Sequence, residues 1–251
     1  MFEGSKLKLD RAIVHLAALE ELFTTYDGVI ELKYKPIDGD KEHFILGFEP
    51  SPPVEIPLII GDAVHNMRAA LDLMICDIDA NNGFDRDSAF PFAKSETAFL
   101  EILSKKKYFR LGEDIIGLIK ELKPFLGGNL DLYALHDLDI IDKHRLVIPT
   151  MCCAFGSFDI NAHLTKTLSP SQSFQIDFLG NSPFDAILSA EGDKIPNDPA
   201  FLAYYTRTPG GLTAIFAEDD PFSQCHVRPT LLKLHSLTTS IVDKFEAVCK
   251  V

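Results

Sequence analysis

The run from Pro57 to about Ala80, PLIIGDAVHNMRAALDLMICDIDA, constrains the fold more than any other part of the chain. At about 100° per residue, Ile60, Val64, Met67, Leu71, Met74 and Ile78 fall on one side of a helix. Gly61, His65, Arg68, Asp72, Cys76 and Asp79 form a narrow second stripe beside it. A face turned to water is normally richer in Lys and Glu, and this helix has neither after Glu55. The polar stripe is therefore expected inside, opposite an element that answers its charges.

The segment LDLYALHDLDIIDKHR, from Leu130 to Arg145, supplies such an element, because His136, Asp139 and Lys143 share one helix side at offsets of three and four. The two rows have the same spacing, His65-x2-Arg68-x3-Asp72 and His136-x2-Asp139-x3-Lys143. Antiparallel packing would bring Asp72 to His136 and Arg68 to Asp139. Parallel packing would keep Arg68 at Asp139 and bring Asp72 to Lys143. Arg68 with Asp139 is thus the pair expected in either orientation.

These six residues, His65, Arg68, Asp72, His136, Asp139 and Lys143, are the candidate site. Two histidines near carboxylates suit proton transfer, and an arginine beside them suits an anion that develops during reaction. The same groups also serve a purely structural end, since desolvated charges need partners whether or not chemistry follows. No H-x3-H pair is present and the His and Asp spacings are mixed, so no metal is expected. No G-x-S-x-G elbow, G-x-G-x-x-G turn or G-x4-G-K-[ST] loop occurs, so no cofactor is expected either.

The remaining periodicities predict an α+β fold. A first helix runs from Ser5 to Tyr26 with Leu9, Ile13, Leu16, Leu19 and Phe23 on its apolar side. A hairpin follows, in which Ile30, Leu32, Tyr34 and then Phe44, Leu46, Phe48 alternate around Asp38-Gly39. Helices are predicted from Ser95 and Glu113, with Lys105-Lys106-Lys107 read as a solvated helix end and Asp142 to Arg145 as a cation-rich C-terminus. After Arg145 the period changes to two: LVIPTMCCAF, then Phe158, Ile160 and Ala162, then Phe174, Ile176 and Phe178, then AFLAYY and LTAIFA either side of Pro209-Gly210-Gly211. The turn-rich stretch from Gly180 to Pro199 is assigned to no element. A last helix from Pro229 carries Leu231, Leu234, Ile241, Phe245 and Val248 on one face, with Thr238 filling the gap. The expectation is one domain over 1–251, mainly a helical bundle with a helical core at 5–145 and 227–249. An N-terminal β-hairpin and an antiparallel β-rich insertion at 146–220 complete it.

Charge narrows the classes of function. With 24 Lys+Arg against 37 Asp+Glu, the formal charge is -13, which argues against a broad basic face for non-specific nucleic-acid binding but allows a local basic pocket. The N-terminal residues are too polar for a secretion signal and no stretch is long and apolar enough to span a membrane, so a soluble, cytoplasmic chain is expected. Cys76, Cys152, Cys153, Cys225 and Cys249 include no C-x-x-C pair and read as reduced thiols.

Gly61 to Asp72 (GDAVHNMRAALD), Phe90-Pro91-Phe92, Lys123-Pro124-Phe125 and Asp142 to Leu146 (DKHRL) resemble the recurring segments of an uncharacterised family of bacterial proteins. That likeness covers about residues 5 to 150. A second likeness is to the HEPN superfamily, helical bundles that include metal-independent RNases of toxin and phage-defence systems and act as dimers. Its motif is an arginine followed after four to six residues by a histidine. Here Leu73, Met74 and Ile75 open the window after Arg68 where that histidine would stand. One literal match exists, Arg228-x6-His235, but roughly 0.7 such matches arise by chance in a chain of this composition. The resemblance implies a homodimer and RNA or a small anionic ligand as partner, and the missing histidine after Arg68 predicts weak or no RNase activity. Three classes follow from the whole sequence: a HEPN-like RNA- or nucleotide-handling bundle, a non-enzymatic ligand-binding or interaction protein with a structural polar ladder, and an acid–base enzyme of unassigned substrate.

Overall fold

A computed structural model describes residues 1–27, 29–145, 148, 150–158, 185–190, 194–197, 212–217, 221–223 and 225–249. Within them the fold is α+β and mainly helical. The chain divides into two compact units, Met1–Glu21 with Val54–Pro149 and Phe216–Val251, and Leu22–Pro53 with Thr150–Ile215. The hairpin, placed by sequence within the helical stretch, groups with the later strands in the second unit.

The first unit is built from helices. Helix α1 (Glu3–Asp27) starts in it, followed by α2 (Glu55–Asn81), α3 (Glu96–Leu103), the one-turn α4 (Lys106–Phe109), α5 (Glu113–Leu122), α6 (Leu130–Arg145) and α7 (Val227–Cys249). Helix α2 is its centre and packs against α6 and α7, and α5 and α6 also reach α7. The apolar stripe of α2 lies wholly inside: Ile60, Val64, Met67, Leu71 and Met74 have no exposed surface. Each such side chain contributes roughly 1.5–3 kcal/mol relative to leaving it in water. On α7 the buried face is Leu231, Leu234, Thr238, Ile241 and Phe245, and Thr238 satisfies its hydroxyl by donating to the Leu234 carbonyl at 2.8 Å. Ser95 caps α3, its hydroxyl accepting from the Ala98 amide.

One face of α1 differs from expectation. Leu9, Ala12, Leu16 and Leu19 turn inward, whereas Ile13 is 42% exposed. The inward row steps by three and four residues through Ala12, and Ile13 stands about 100° away from it.

The second unit holds two three-stranded sheets, with strand orders β1-β2-β5 and β4-β3-β6. The hairpin of β1 (Glu31–Ile37) and β2 (Asp40–Glu49) pairs Leu32 with Phe48, Tyr34 with Leu46 and Pro36 with Phe44. The apolar alternation read from sequence thus fixes its register, and Gly39 takes φ +80° in the turn. Strand β3 (Thr150–Phe158) runs antiparallel to β4 (Asp185–Ala190), with Phe155 opposite Leu188. Strand β5 (Lys194–Pro196) pairs with β2, and β6 (Leu212–Phe216) holds the first part of the expected LTAIFA strand. Strands β4 and β5 lie in the stretch assigned to no element. Their order comes from hydrogen bonds to distant partners, which a short segment does not announce. The strands expected around Ile160 and Ala162, Phe174 to Phe178, and AFLAYY lie outside the described residues.

No helix among the described residues is long and apolar enough to cross a membrane.

Candidate functional site

Helices α2 and α6 run antiparallel and meet in three successive rungs. Gly61 faces Asp142: a Cβ at Gly61 would overlap Asp142 Oδ1 and come within 2.8 Å of its Cγ. One turn on, His65 Nδ1 lies 3.0 Å from Asp139 Oδ1. One turn further, Arg68 Nε donates to His136 Nδ1 at 3.4 Å. The antiparallel option is therefore the correct one, but the register is displaced by about one turn from that derived by matching the two rows. Asp142 can approach only where α2 has no side chain, and seating it on Gly61 places Asp139 opposite His65 rather than Arg68.

The expected Arg68–Asp139 pair is consequently replaced by two separate pairings. Arg68 Nη1 lies 2.5 Å from Asp72 Oδ1 on its own helix, an ion contact without the alignment of a directed hydrogen bond. Asp72 Oδ1 also accepts from the Phe90 amide at 2.9 Å. Asp139 holds His65 through one oxygen and Lys143 Nζ through the other at 2.5 Å.

The six candidate residues thus divide into a more enclosed group, the buried Arg68 with the partly buried His136 and Asp72, and an open group. In the enclosed group, the Arg68 side chain is 9% exposed, and its guanidinium carbon stands 4.4 Å from the centre of the Phe92 ring. His136 stacks on the same phenylalanine at 4.5 Å with the planes 7° apart, and Tyr133 meets it edge-on at 6.2 Å. Burial, followed by the Arg68 charge, pushes the His136 imidazole down to about 4. A neutral ring whose Nδ1 accepts from Arg68 carries its proton on Nε2.

The open group faces solvent. The His65 side chain is 46% exposed and that of Lys143 50%, whereas Asp139 between them is 4% exposed. A buried carboxylate that accepts a hydrogen bond from Nδ1–H orients an imidazole and leaves Nε2 for a substrate, the arrangement expected of a general base. Around this pair the field is acidic. Burial first, then Asp139 and Asp62, raise Asp142 above the usual carboxylate range. His15 of α1 lies 3.9 Å from Asp62. Among the described residues, no three His, Cys, Asp or Glu side chains come together as a metal-ligand set.

Pattern reading put Gly61 in the polar stripe and Asp142 at a helix end without their register-setting contact, and gave no site role to Phe90 and Phe92, which close over the enclosed pair. A glycine one turn before His65 was the local signal available. In the literal arginine–histidine match on α7, Arg228 pairs with Glu20 at 2.6 Å, and His235 lies 3.2 Å from the Leu9 carbonyl. Leu73, in the window after Arg68, stands beside α1, where a Cβ on Gly4 would touch its Cδ1 at 3.6 Å.

No protein-family model, curated protein or solved structure matches this chain.

Proposed function

We propose that the protein is a HEPN-like helical bundle, acting as a homodimer, that handles RNA or nucleotides with weak or lost RNase activity. The observation that carries this reading is the enclosure of Arg68. The arginine from which the HEPN resemblance counts is retained in the bundle, but Asp72 and His136 hold it away from solvent, and Leu73 opens the window where the base would follow. Metal-free RNA cleavage needs a base for the 2′-hydroxyl proton and a cation for the phosphate. Arg68 reaches neither role from its position. Incubation with single-stranded RNA in chelator tests this: at most weak cleavage is expected, and any residue of it is lost in His65→Ala. Robust cleavage that survives His65→Ala, Arg68→Ala and His136→Ala overturns the assignment of the site to α2 and α6.

A second reading is favoured by one specific observation, the half-exposed imidazole of His65 on the buried Asp139 carboxylate. It makes the open group an acid–base site, with His65 moving the proton and Asp139 fixing its orientation. Asp139→Asn would then reduce turnover of any substrate found while leaving the fold intact.

A further inference from the structure

Three consecutive lysines, Lys105, Lys106 and Lys107, lead into α4, and Phe109 and Arg110 close it. The chain has 37 acidic against 24 basic residues; among the described residues some cations, including Lys35, Lys41, Lys94 and Lys120, have no carboxylate at ion-pair distance, and others pair with one. Arg86 does so with Asp77 at 2.8 Å, and Arg110 with Asp87 at 3.2 Å. The three lysines do not. Among the described residues none of them has a carboxylate at ion-pair distance, and Lys107 Nζ donates instead to the backbone carbonyl of Asp87 at 3.3 Å. Their mutual repulsion is maintained in a short loop and a single helical turn, anchored from below by Tyr108, which is buried and donates to the Ala89 carbonyl at 3.0 Å.

Aromatic surface accompanies the charge. Phe109 is 69% exposed and Phe84 45%, both far more than a phenylalanine usually shows. The Arg110 guanidinium carbon lies 4.9 Å from the centre of the Phe84 ring, and Asp87 pins that guanidinium from the side. The corner thus offers flat, oriented surfaces beside unneutralised ammonium groups.

We propose that this corner, Lys105 to Arg110 with Phe84, docks single-stranded nucleic acid, with the lysines at phosphates and the rings against unpaired bases. Base–aromatic stacking supplies about 1–3 kcal/mol per base and is indifferent to sequence. A duplex keeps its base faces stacked on one another and cannot use the rings. An anionic bilayer fits less well, because inserting Phe84 would carry the Arg110–Asp87 pair and the adjacent Asp85 out of water, and α4 has one turn rather than a long apolar face. Binding is local and modest, since the rest of the chain repels a polyanion. The inference rests on the RNA-handling reading and deepens it by naming the surface that holds the strand.

Fluorescence anisotropy of the full chain with labelled oligo-U and oligo-dT of about 20 nucleotides, across a salt series, tests it. Three uncompensated cations give an expected slope of log K against log salt near about -2. Replacing all three lysines by Gln is expected to weaken binding at least tenfold and flatten that slope. Phe109→Ser is expected to weaken binding several-fold with the slope unchanged. Lys244→Gln, which removes a cation paired with Glu121 on another helix, should bind as wild type. Oligonucleotide binding that is undiminished in the lysine and Phe109 variants overturns the corner but leaves the RNA-handling reading standing. Absence of any binding at about 50 mM salt overturns both. Capture by phosphatidylserine vesicles, lost in the same variants while no oligonucleotide binds, would overturn the nucleic-acid assignment in favour of a membrane surface.

Discussion

Arg68 and His136 face each other across the α2–α6 seam as a buried cation and a neutral imidazole, Nε to Nδ1 at 3.4 Å. A cation can stand there because Asp72 answers its charge from the same helix and Phe92 covers its face. Arg68→Ala would strand Asp72 with a single amide donor and leave His136 Nδ1 without one. Asp72 is one-third exposed, so the cost falls below that of a fully buried ion pair, at about 2–3 kcal/mol. Urea denaturation measures it. In a double-mutant cycle Arg68 should couple to His136 and Asp72 more strongly than to Asp139, the partner suggested by spacing alone, and the reverse ranking would contradict the observed register.

The partly buried imidazole of His136 also makes stability depend on acid. His136 has a folded pKa of about 4 against an ordinary value of 6.5, so the unfolded chain takes up a proton that the folded chain refuses. The stabilising contribution of the neutral ring is complete above about pH 6.5, declines as pH falls toward 4, and loses nothing more below that. After allowance for partial exposure the loss amounts to about 2 kcal/mol. The stability difference between wild type and His136→Gln, followed by denaturation from pH 7 to pH 4, should shrink by that amount. A difference independent of pH would show that the ring is not held neutral.

Gly61 sets the register through the space it leaves. Alanine there gains helix propensity of about 1 kcal/mol and so obscures the clash with Asp142. Gly61→Val avoids this offset and is expected to cost about 2–3 kcal/mol through overlap with the carboxylate. Combining it with Asp142→Ala should recover most of the loss. If the two changes are simply additive in denaturation, the contact does not determine how α2 and α6 meet.

The elements most legible in the sequence were those with a strong period and clear punctuation. Helix α5 begins at Glu113 and α6 at Leu130 as read, and the cross-strand partners of the hairpin follow from its alternation around Asp38-Gly39. The α4 turn was less legible, because Lys105 to Lys107 resemble any solvated helix end and the anchoring of Tyr108 beneath Ala89 is a tertiary fact. At the site, the identity of the facing helices was legible but not their register. Rows with identical spacing satisfy their charges at more than one slip, and the deciding contact involves Gly61, a residue that carries no charge or apolar signal.

The division of the seam into an enclosed arginine–histidine pair and an open histidine–carboxylate pair is tested most directly by residue-resolved carbethoxylation. The native protein would be treated with diethyl pyrocarbonate near neutral pH and the modified histidines identified by peptide mass spectrometry. His65, with nearly half of its side chain in solvent, should react readily, and Asp139→Asn should change its rate. His136, partly buried and stacked on Phe92, should react much more slowly than His65 until the protein is denatured. Modification of His136 as fast as His65 in the native protein would contradict the division.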